Sequence, residues 1–386
     1  MQPLITSQGA ILAVMASIVA VSFLLQRLKF FKSFGPAIIC IIIGIILANF
    51  NIVPHWHDVY GVFFQYAIPV ALTMFLLNVN LKEWIKLSKQ PLLAMAFAVI
   101  SVCAVTLLAG LYFAPRIPEG WKIAGMFIGT YTGGSSNLTA IGTGLNASPT
   151  TFASANAADY IIGLPTIVLF FAIPGILARS KWFKRVWPYS LTEEELSTDD
   201  DTELFSKKEW SITDIALLFA IGFIVAEVAT ALSQGFSALT SGAVRILLIT
   251  TLALILAQFK PIREIKGNMD VGYFVALFFL VIIGFLVDIN EFMNSAPLIA
   301  VFCFFVIIGS LALHIALCRL FKIKYQYVLI SIVAAIADGT TAALVAGTGK
   351  WKSIISVAVV LGAIGMALGN YVGIGVAYLL KAIIGG

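Results

Sequence analysis

Long apolar stretches are the feature that most constrains what this chain can fold into. Each approaches or exceeds the about 20 residues that a helix needs to cross the hydrocarbon core of a bilayer. Only 11% of the residues are charged, against roughly 25% in soluble domains. The sequence therefore predicts an all-α polytopic membrane protein, with apolar segments over 4–26, 34–51, 59–79, 91–114, 119–146, 150–178, 211–233, 239–259, 270–289, 296–318, 323–349 and 351–382.

The two halves of the chain resemble each other. Six apolar segments precede a polar stretch and six follow it, so we expect a first repeat over 1–178, a cytoplasmic linker over 179–210 and a second repeat over 211–386. Short matches recur in the same order at offsets of 205 to 211 residues, which indicates an internal duplication. The matched pairs are Asn78-Val79-Asn80 with Asp288-Ile289-Asn290, Pro91-Leu92-Leu93-Ala94 with Pro297-Leu298-Ile299-Ala300, Gly134-Ser135-Ser136 with Gly339-Thr340-Thr341, Gly142-Thr143-Gly144 with Gly347-Thr348-Gly349, and Asp159-Tyr160 with Asn370-Tyr371.

Basic loops set the predicted orientation, because Lys and Arg concentrate in cytoplasmic loops. All of the basic loops and the linker become cytoplasmic only if the segments 119–146 and 323–349 do not cross the membrane. Each of these segments contains a Gly-rich break that makes a poor continuous helix, so we expect one re-entrant hairpin in each repeat. Ten spans result, five in each of two inverted repeats, with both termini outside. Broken helices that cross the membrane are the alternative.

The two Gly-rich breaks form the expected binding site. Backbone that departs from helical geometry at membrane depth is tolerated only where protein or a water-filled cavity surrounds it. Half-helix N-termini attract anionic groups, and unwound carbonyl groups suit Na⁺. Close glycine packing between helices, without a ligand, is the alternative. The expected substrate-binding residues are Thr132, Gly133, Gly134, Ser135, Ser136, Asn137, Gly339, Thr340 and Thr341.

Polar side chains within the apolar segments are the candidate ion-coupling groups, since such side chains are costly in a bilayer and usually functional. Asp159 lies about one helical turn after Asn156, and Asp338 stands at the second break. Either aspartate could bind Na⁺ or carry a proton, whereas a helix contact and a helix cap are the alternatives. Asn370 takes the place of Asp159 in the second repeat, as a neutral ligand. Arg245 is interpreted as a side chain that reaches the membrane interface, and contact with a carboxylate is the alternative.

The breaks resemble those of known transporters. Gly133-Gly134-Ser135 and Asp338-Gly339-Thr340 resemble the re-entrant vertices of citrate and glutamate symporter families, although Ser136 and Thr341 replace a further Gly there. Across nearly its whole length the sequence resembles the YjcL-like family of bacterial membrane proteins (domain of unknown function 819), which is grouped with cation–proton antiporters and bile-acid-type symporters. The resemblance implies a scaffold domain for homodimer contacts and a mobile, elevator-like transport domain that carries the hairpins.

These observations predict a secondary active transporter of the bacterial inner membrane, coupled to Na⁺ or H⁺, for a small organic anion, an amino acid or a short peptide. A cation–proton antiporter without an organic substrate is the alternative, and a channel or a membrane scaffold protein is a third class. No P-loop, nucleophile elbow or zincin motif occurs, so we expect neither enzyme activity nor a cofactor beyond the coupling ion. The net charge of +5 lies in loops beside apolar spans and does not indicate a nucleic-acid partner.

Overall fold

The computed structural model describes residues 3–25, 27–28, 36–77, 79–82, 87–197, 209–236, 241–287 and 289–385, and these form helices and loops without strands. In chain order the helices are α1 (Gln8–Leu25), α2 (Pro36–Asn49), α3 (Asp58–Leu76), α4 (Lys89–Phe113), α5 (Gly120–Gly133), α6 (Ser135–Gly144), α7 (Pro149–Ala158), α8 (Leu164–Arg179), α9 (Lys181–Val186), α10 (Glu193–Ser197), α11 (Ile212–Ser233), α12 (Ser241–Leu256), α13 (Lys260–Arg263), α14 (Asn268–Leu286), α15 (Ile289–Leu320), α16 (Tyr325–Ile336), α17 (Gly339–Thr348) and α18 (Ile355–Ile384). Of the residues used above, Asn78 and Asp288 lie outside the described residues.

Eight helical stretches in this described part are long and apolar enough to cross a membrane, which confirms a multi-pass membrane protein. Helices satisfy their own backbone hydrogen bonds, as the hydrocarbon core requires. Two further apolar helices, α2 and α12, have 14 and 16 residues and take the second position in each half. The eight longer stretches are Gln8–Leu25, Asp58–Leu76, Lys89–Arg116, Pro149–Phe171, Ile212–Ser233, Asn268–Leu286, Ala296–Leu320 and Ile355–Ile384.

The helices pack into two bundles, and each bundle combines elements of both halves of the chain. The first bundle contains α1, α2, α3, α11, α12 and α14, with α14 packed against α1, α2 and α3. The hairpin bundle contains α4 to α8 and α15 to α18, with α18 packed against α4, α5, α16 and α17. The two bundles meet where α6 touches α3 and α12, where α7 touches α14, and where α18 touches α12. Surfaces from both halves therefore face each other across this interface.

Both Gly-rich segments double back as helical hairpins. In hairpin 1, formed by α5 and α6, the Lys122 Nζ donates to the Asn146 carbonyl oxygen at 2.7 Å, so the two ends of the hairpin lie together. In hairpin 2, formed by α16 and α17, the rings of Tyr325 and Trp351 near its two ends are 5.7 Å apart. Each hairpin follows a long helix, α4 or α15, and is followed by further helices of the same bundle, α7 and α8 or α18. That each hairpin enters and leaves at one membrane face, and that the repeats are inverted, stay predictions.

Candidate functional site

The turns of the two hairpins touch each other. Gly134 joins α5 to α6 with φ +90° and ψ 173°, a conformation that essentially only glycine adopts. A Cβ atom at Gly134 would lie 2.1 Å from the Ala337 carbonyl oxygen in the turn of hairpin 2. Glycine is therefore required at the first break by its own backbone angles and also by the contact with the second break.

Helix α18 holds both hairpins through a row of glycines. A Cβ atom at Gly365 would lie 2.0 Å from the Thr132 carbonyl oxygen, and Gly133 packs against the backbone of Gly365. A Cβ atom at Gly362 would lie 2.1 Å from the Gly339 nitrogen of hairpin 2. Backbones approach this closely only where side chains are absent. The predicted alternative of close glycine packing thus applies to one side of each break.

The other side of each break faces a cavity of about 440 Å³ between the two bundles. The hairpin bundle contributes both turns and the π-helical stretch Asp159–Gly163, which lies between α7 and α8. The first bundle contributes Phe75 of α3 and, from α14, Met269, Asp270 and Tyr273. The cavity therefore joins both Gly-rich breaks to the surface of the opposite bundle.

Asp159 is the buried charge of this cavity, with 8% of its surface exposed. It begins the π-helical stretch, a distortion that frequently marks functional sites in helices. Ser135 Oγ donates to Asp159 Oδ2 at 3.1 Å and Thr130 Oγ1 donates to the same oxygen at 3.4 Å, while Tyr131 also hydrogen-bonds to the carboxylate. Among the described residues, no ion pair involves Asp159. The hydrogen-bond partners of Asp159 among the described residues are therefore hydroxyl groups, and a carboxylate in such a setting can take up Na⁺ or a proton.

The half-helices that begin at the two turns differ in how their first amides are satisfied. Asp338 caps α17, because its Oδ1 accepts from the Thr341 amide at 2.8 Å and its Oδ2 from the Thr341 hydroxyl at 2.9 Å. The residue before α6 is Gly134, which has no side chain that could cap this helix. The start of α6, at Ser135 and Ser136, therefore presents backbone amides at the cavity wall, where the helix dipole favours an anionic group.

Acidic side chains dominate the charge of the cavity wall. Asp159, Asp270 and Asp338 line it, and none of its described lining residues is Lys, Arg or His. Asp270 is exposed in the first turn of α14, whereas Asp159 is buried, so the carboxylates extend from the surface into the interior. Tyr160 and Tyr273 add phenol groups to the wall. This charge favours a cation, or a solute with an ammonium group, over a solute that is only anionic.

The predicted substrate-binding residues separate into two groups. Those that line the cavity are Gly133, Gly134, Ser135, Ser136 and Thr341. Three others contact α18 instead, because Thr132 and Gly339 pack against its glycines and Asn137 Nδ2 donates to the Gly365 carbonyl oxygen at 3.5 Å. The side chain of Thr340 lies outside the described residues.

The predicted ion-coupling residues are likewise divided. Asp159 and Asp338 line the cavity. Asn156 lines a smaller adjacent cavity of about 80 Å³, and its Nδ2 donates to the Phe152 carbonyl oxygen at 2.9 Å. Asn370 is buried against α12, where its Nδ2 donates to Thr250 Oγ1 at 3.1 Å, and it does not line the cavity. The expectation that Asn370 acts as a coupling ligand stays a prediction. An ion bound by Asn370 would lie outside the cavity that contains Asp159.

Sequence reasoning missed the side of the cavity that belongs to the first bundle. Asp270 is the third residue of α14, where an acidic side chain looks like an ordinary complement to the helix dipole. Phe75 and Tyr273 look like ordinary aromatic residues of apolar spans. None of these first-bundle residues carried a signal in the sequence, whereas the missed Tyr160 of the hairpin bundle did, because it follows Asp159 in the repeat match. Packing of the two bundles, which no local pattern shows, brings these residues to the hairpins.

Comparison with known proteins places the chain in a family. The profile described as "Protein of unknown function (DUF819)" matches residues 10–383. The chain belongs to this family. It is also 27% identical over 364 residues to the "Uncharacterized membrane protein YjcL" of Bacillus subtilis (strain 168), a match that covers 90% of each chain. The resemblance to the YjcL-like family is therefore confirmed, whereas the relation to citrate and glutamate symporters stays a prediction.

Proposed function

We propose that this DUF819 protein is a secondary active transporter that couples Na⁺ or H⁺ to the movement of a small organic solute. The observation that carries the proposal is that both hairpin turns and the buried Asp159 share one cavity between two bundles. A solute in this cavity touches both halves of the chain, and a cation bound at Asp159 lies beside the hydroxyl of Ser135. Binding of the cation and binding of the solute would then stabilise the same arrangement of hairpin 1.

An amino acid or a short peptide fits the charges of the cavity better than a purely anionic solute. The start of α6 offers amides and the hydroxyls of Ser135 and Ser136 to a carboxylate. Asp270 and Asp338 offer negative charge to an ammonium group on the same solute. A dianion would face three aspartates without a basic side chain among the described lining residues. The substrate class is therefore proposed to be zwitterionic.

Sliding of the hairpin bundle against the first bundle is the proposed mode of alternating access. The face of α3 next to the small cavity is apolar and carries Ile68, Ala71, Leu72 and Phe75. Such a surface lacks polar partners that would have to break when α6 moves along it. By the predicted topology, the loop of α13 before Asp270 is cytoplasmic, so the large cavity opens inward in this arrangement. The homodimer, with the first bundle as its scaffold, also stays part of the proposal.

A cation–proton antiporter is the second candidate, and one observation favours it. Three aspartates line the cavity, and carboxylates inside a membrane protein are the groups that proton-coupled transport uses. An antiporter would use Asp159 with Asp270 or Asp338 and would need no organic solute. Uptake of an amino acid by the purified protein separates the two candidates.

The experiment compares Asp159→Asn with the matched control Asp58→Asn, which changes an exposed aspartate at the start of α3. The purified variants are reconstituted in liposomes, and uptake of a panel of radiolabelled amino acids and dipeptides is measured with Na⁺ or a pH gradient. Thermal unfolding with Na⁺ and with choline runs in parallel, because a ligand that binds only the folded state raises its stability.

We expect Asp159→Asn to fold but to lose the dependence of uptake and of unfolding on the coupling cation. Asp58→Asn should behave as the unchanged protein. A folded Asp159→Asn variant with full Na⁺ and pH dependence would remove Asp159 from the coupling site, and it would favour a channel or a scaffold protein.

A further inference from the structure

A second cavity, of about 280 Å³, lies between the bundles at the opposite end of hairpin 1. Helix α6 begins at the large cavity with Ser135 and ends at this one with Gly144. Thr143, Asn146 and Ala147 line it from the hairpin bundle. By the predicted topology this end of the hairpin faces outward. The two cavities are therefore candidates for the two ends of one solute pathway along α6.

Arg245 of α12 is the charged side chain among the described residues that line this second cavity. Arg245 is partly buried between the bundles, and its reach to the membrane interface stays a prediction. One of its terminal nitrogens donates to the Gln65 carbonyl oxygen of α3. Its Nε is buried and has no hydrogen-bond partner in the described part of the chain. A guanidinium carries five N–H donors, so its terminal nitrogens, and not the enclosed Nε, supply the donors that a solute in this cavity could use.

The nearest charges do not neutralise Arg245 by direct contact. Glu227 and Tyr66 are the groups whose electrostatic influence reaches it. Glu227 is exposed on α11, and no ion pair within 4.0 Å joins it to Arg245 among the described residues. Thr143 and Asn146 add a hydroxyl and an amide to the same cavity. The wall thus combines one positive charge with neutral polar groups, the reverse of the acidic cavity at the other end of α6.

We propose that the second cavity binds the carboxylate of a small organic solute, with Arg245 as the charged donor and the Asn146 amide as a neutral donor. The Thr143 hydroxyl already donates to the Thr139 carbonyl oxygen at 2.9 Å and adds polarity to the wall without donating to the solute. Guanidinium groups bind carboxylates with two parallel hydrogen bonds, which gives both charge and geometry. The inference deepens the proposed function, on which it rests for the transport step, by giving the solute a first carboxylate site in the outward cavity, from which it passes to the start of α6 in the large cavity. Ser136, Thr139 and Thr143 follow one another at spacings of three and four residues on α6, so one polar helix face connects the two cavities.

The test measures the charge preference of the cavity directly. Ala147→Cys is made after the native cysteines are replaced, and the intact protein in liposomes is modified from outside with an anionic (2-sulfonatoethyl) or a cationic (2-trimethylammonioethyl) methanethiosulfonate. Each rate is divided by that for a free thiol. We expect the anionic reagent to be favoured by about tenfold, as one partly buried unit charge within a few ångströms predicts. Succinate and L-alanine should slow the modification, and the neutral succinamide should not.

Three further variants decide the source of this preference. Arg245→Gln should abolish both the preference and the protection by succinate, whereas Arg245→Lys should keep the preference. Arg263→Gln is the matched control, because Arg263 also donates to a backbone carbonyl oxygen but lies outside this cavity. Glu227→Gln should leave the preference in place or increase it. The proposal fails if the preference survives Arg245→Gln, if it appears only after Glu227→Gln, or if neither carboxylate protects the cysteine.

The same assay keeps the two proposals separate. In the Asp159→Asn background the charge preference at Ala147→Cys should be unchanged, because Asp159 lines the other cavity. If Asp159→Asn loses cation-coupled uptake but keeps the preference for the anionic reagent, the carboxylate site is still supported. An absent preference in a protein that still shows cation-dependent uptake would overturn the carboxylate site alone.

Discussion

Substitution of Gly134 tests whether contact between the two hairpin turns matters for function. At φ +90° and ψ 173°, any side chain meets backbone strain of about 1–3 kcal/mol. The added Cβ atom would also lie 2.1 Å from the Ala337 carbonyl oxygen, where real contacts begin near 3.0 Å. The two turns must therefore separate by roughly 1 Å, which widens the cavity beside Asp159. We expect Gly134→Ala, and more strongly Gly134→Val, to insert and purify but to lose cation-dependent stabilisation and uptake.

The assay is thermal unfolding of the purified protein in nanodiscs, with Na⁺ and with choline, together with uptake in liposomes. Gly347→Ala is the matched control in hairpin 2, because nothing lies within 4 Å of a Cβ atom at Gly347. Alanine within a helix is more favourable than glycine by roughly 0.5–1 kcal/mol, so this control should be neutral or stabilised. If Gly134→Ala is as stable as Gly347→Ala and responds fully to the cation, the reasoning about the turns is refuted.

Three further results are expected. Gly339→Val should insert but lose the same activity, because its Cβ atom would lie 2.6 Å from the Val359 carbonyl oxygen of α18; normal uptake would show that hairpin 2 tolerates displacement. Burial raises the pKa of Glu119, but hydrogen bonds, chiefly from Lys122, hold it below its ordinary value of 4.5. Its ionised form therefore stabilises the fold above pH 4.5, and this contribution is lost as the pH falls further. Glu119→Gln should remove this part of the acid sensitivity in a pH series of unfolding curves, and an unchanged series would contradict it. In a cysteine-free background, Asn146→Cys should be labelled only from outside and Lys350→Cys only from the cytoplasm; labelling of Asn146→Cys from inside would replace the hairpins with crossing helices.

The class of this protein could be predicted from its sequence alone. A bilayer demands long apolar helices, and this demand acts on each segment separately, so it leaves a pattern that can be counted along the chain. The breaks at Gly134 and Gly339 were visible for a similar reason, because backbone that cannot stay helical needs particular residues at particular positions. Asp159 was found because a carboxylate inside an apolar segment is costly wherever the segment packs.

Tertiary structure decided which side of each break faces the cavity. Ser136 and Asn137 are neighbours with equally polar side chains, yet Ser136 lines the cavity and Asn137 contacts α18. The side chains from the first bundle, such as Asp270, became visible only once α14 had packed near the hairpins. Arg245 is the clearest case, since the same residue in α12 would snorkel on an isolated helix but lines a cavity when α6 packs against it. Burial and electrostatic surroundings at these positions depend on contacts between segments that are distant in the sequence. A local sequence pattern does not reveal those contacts.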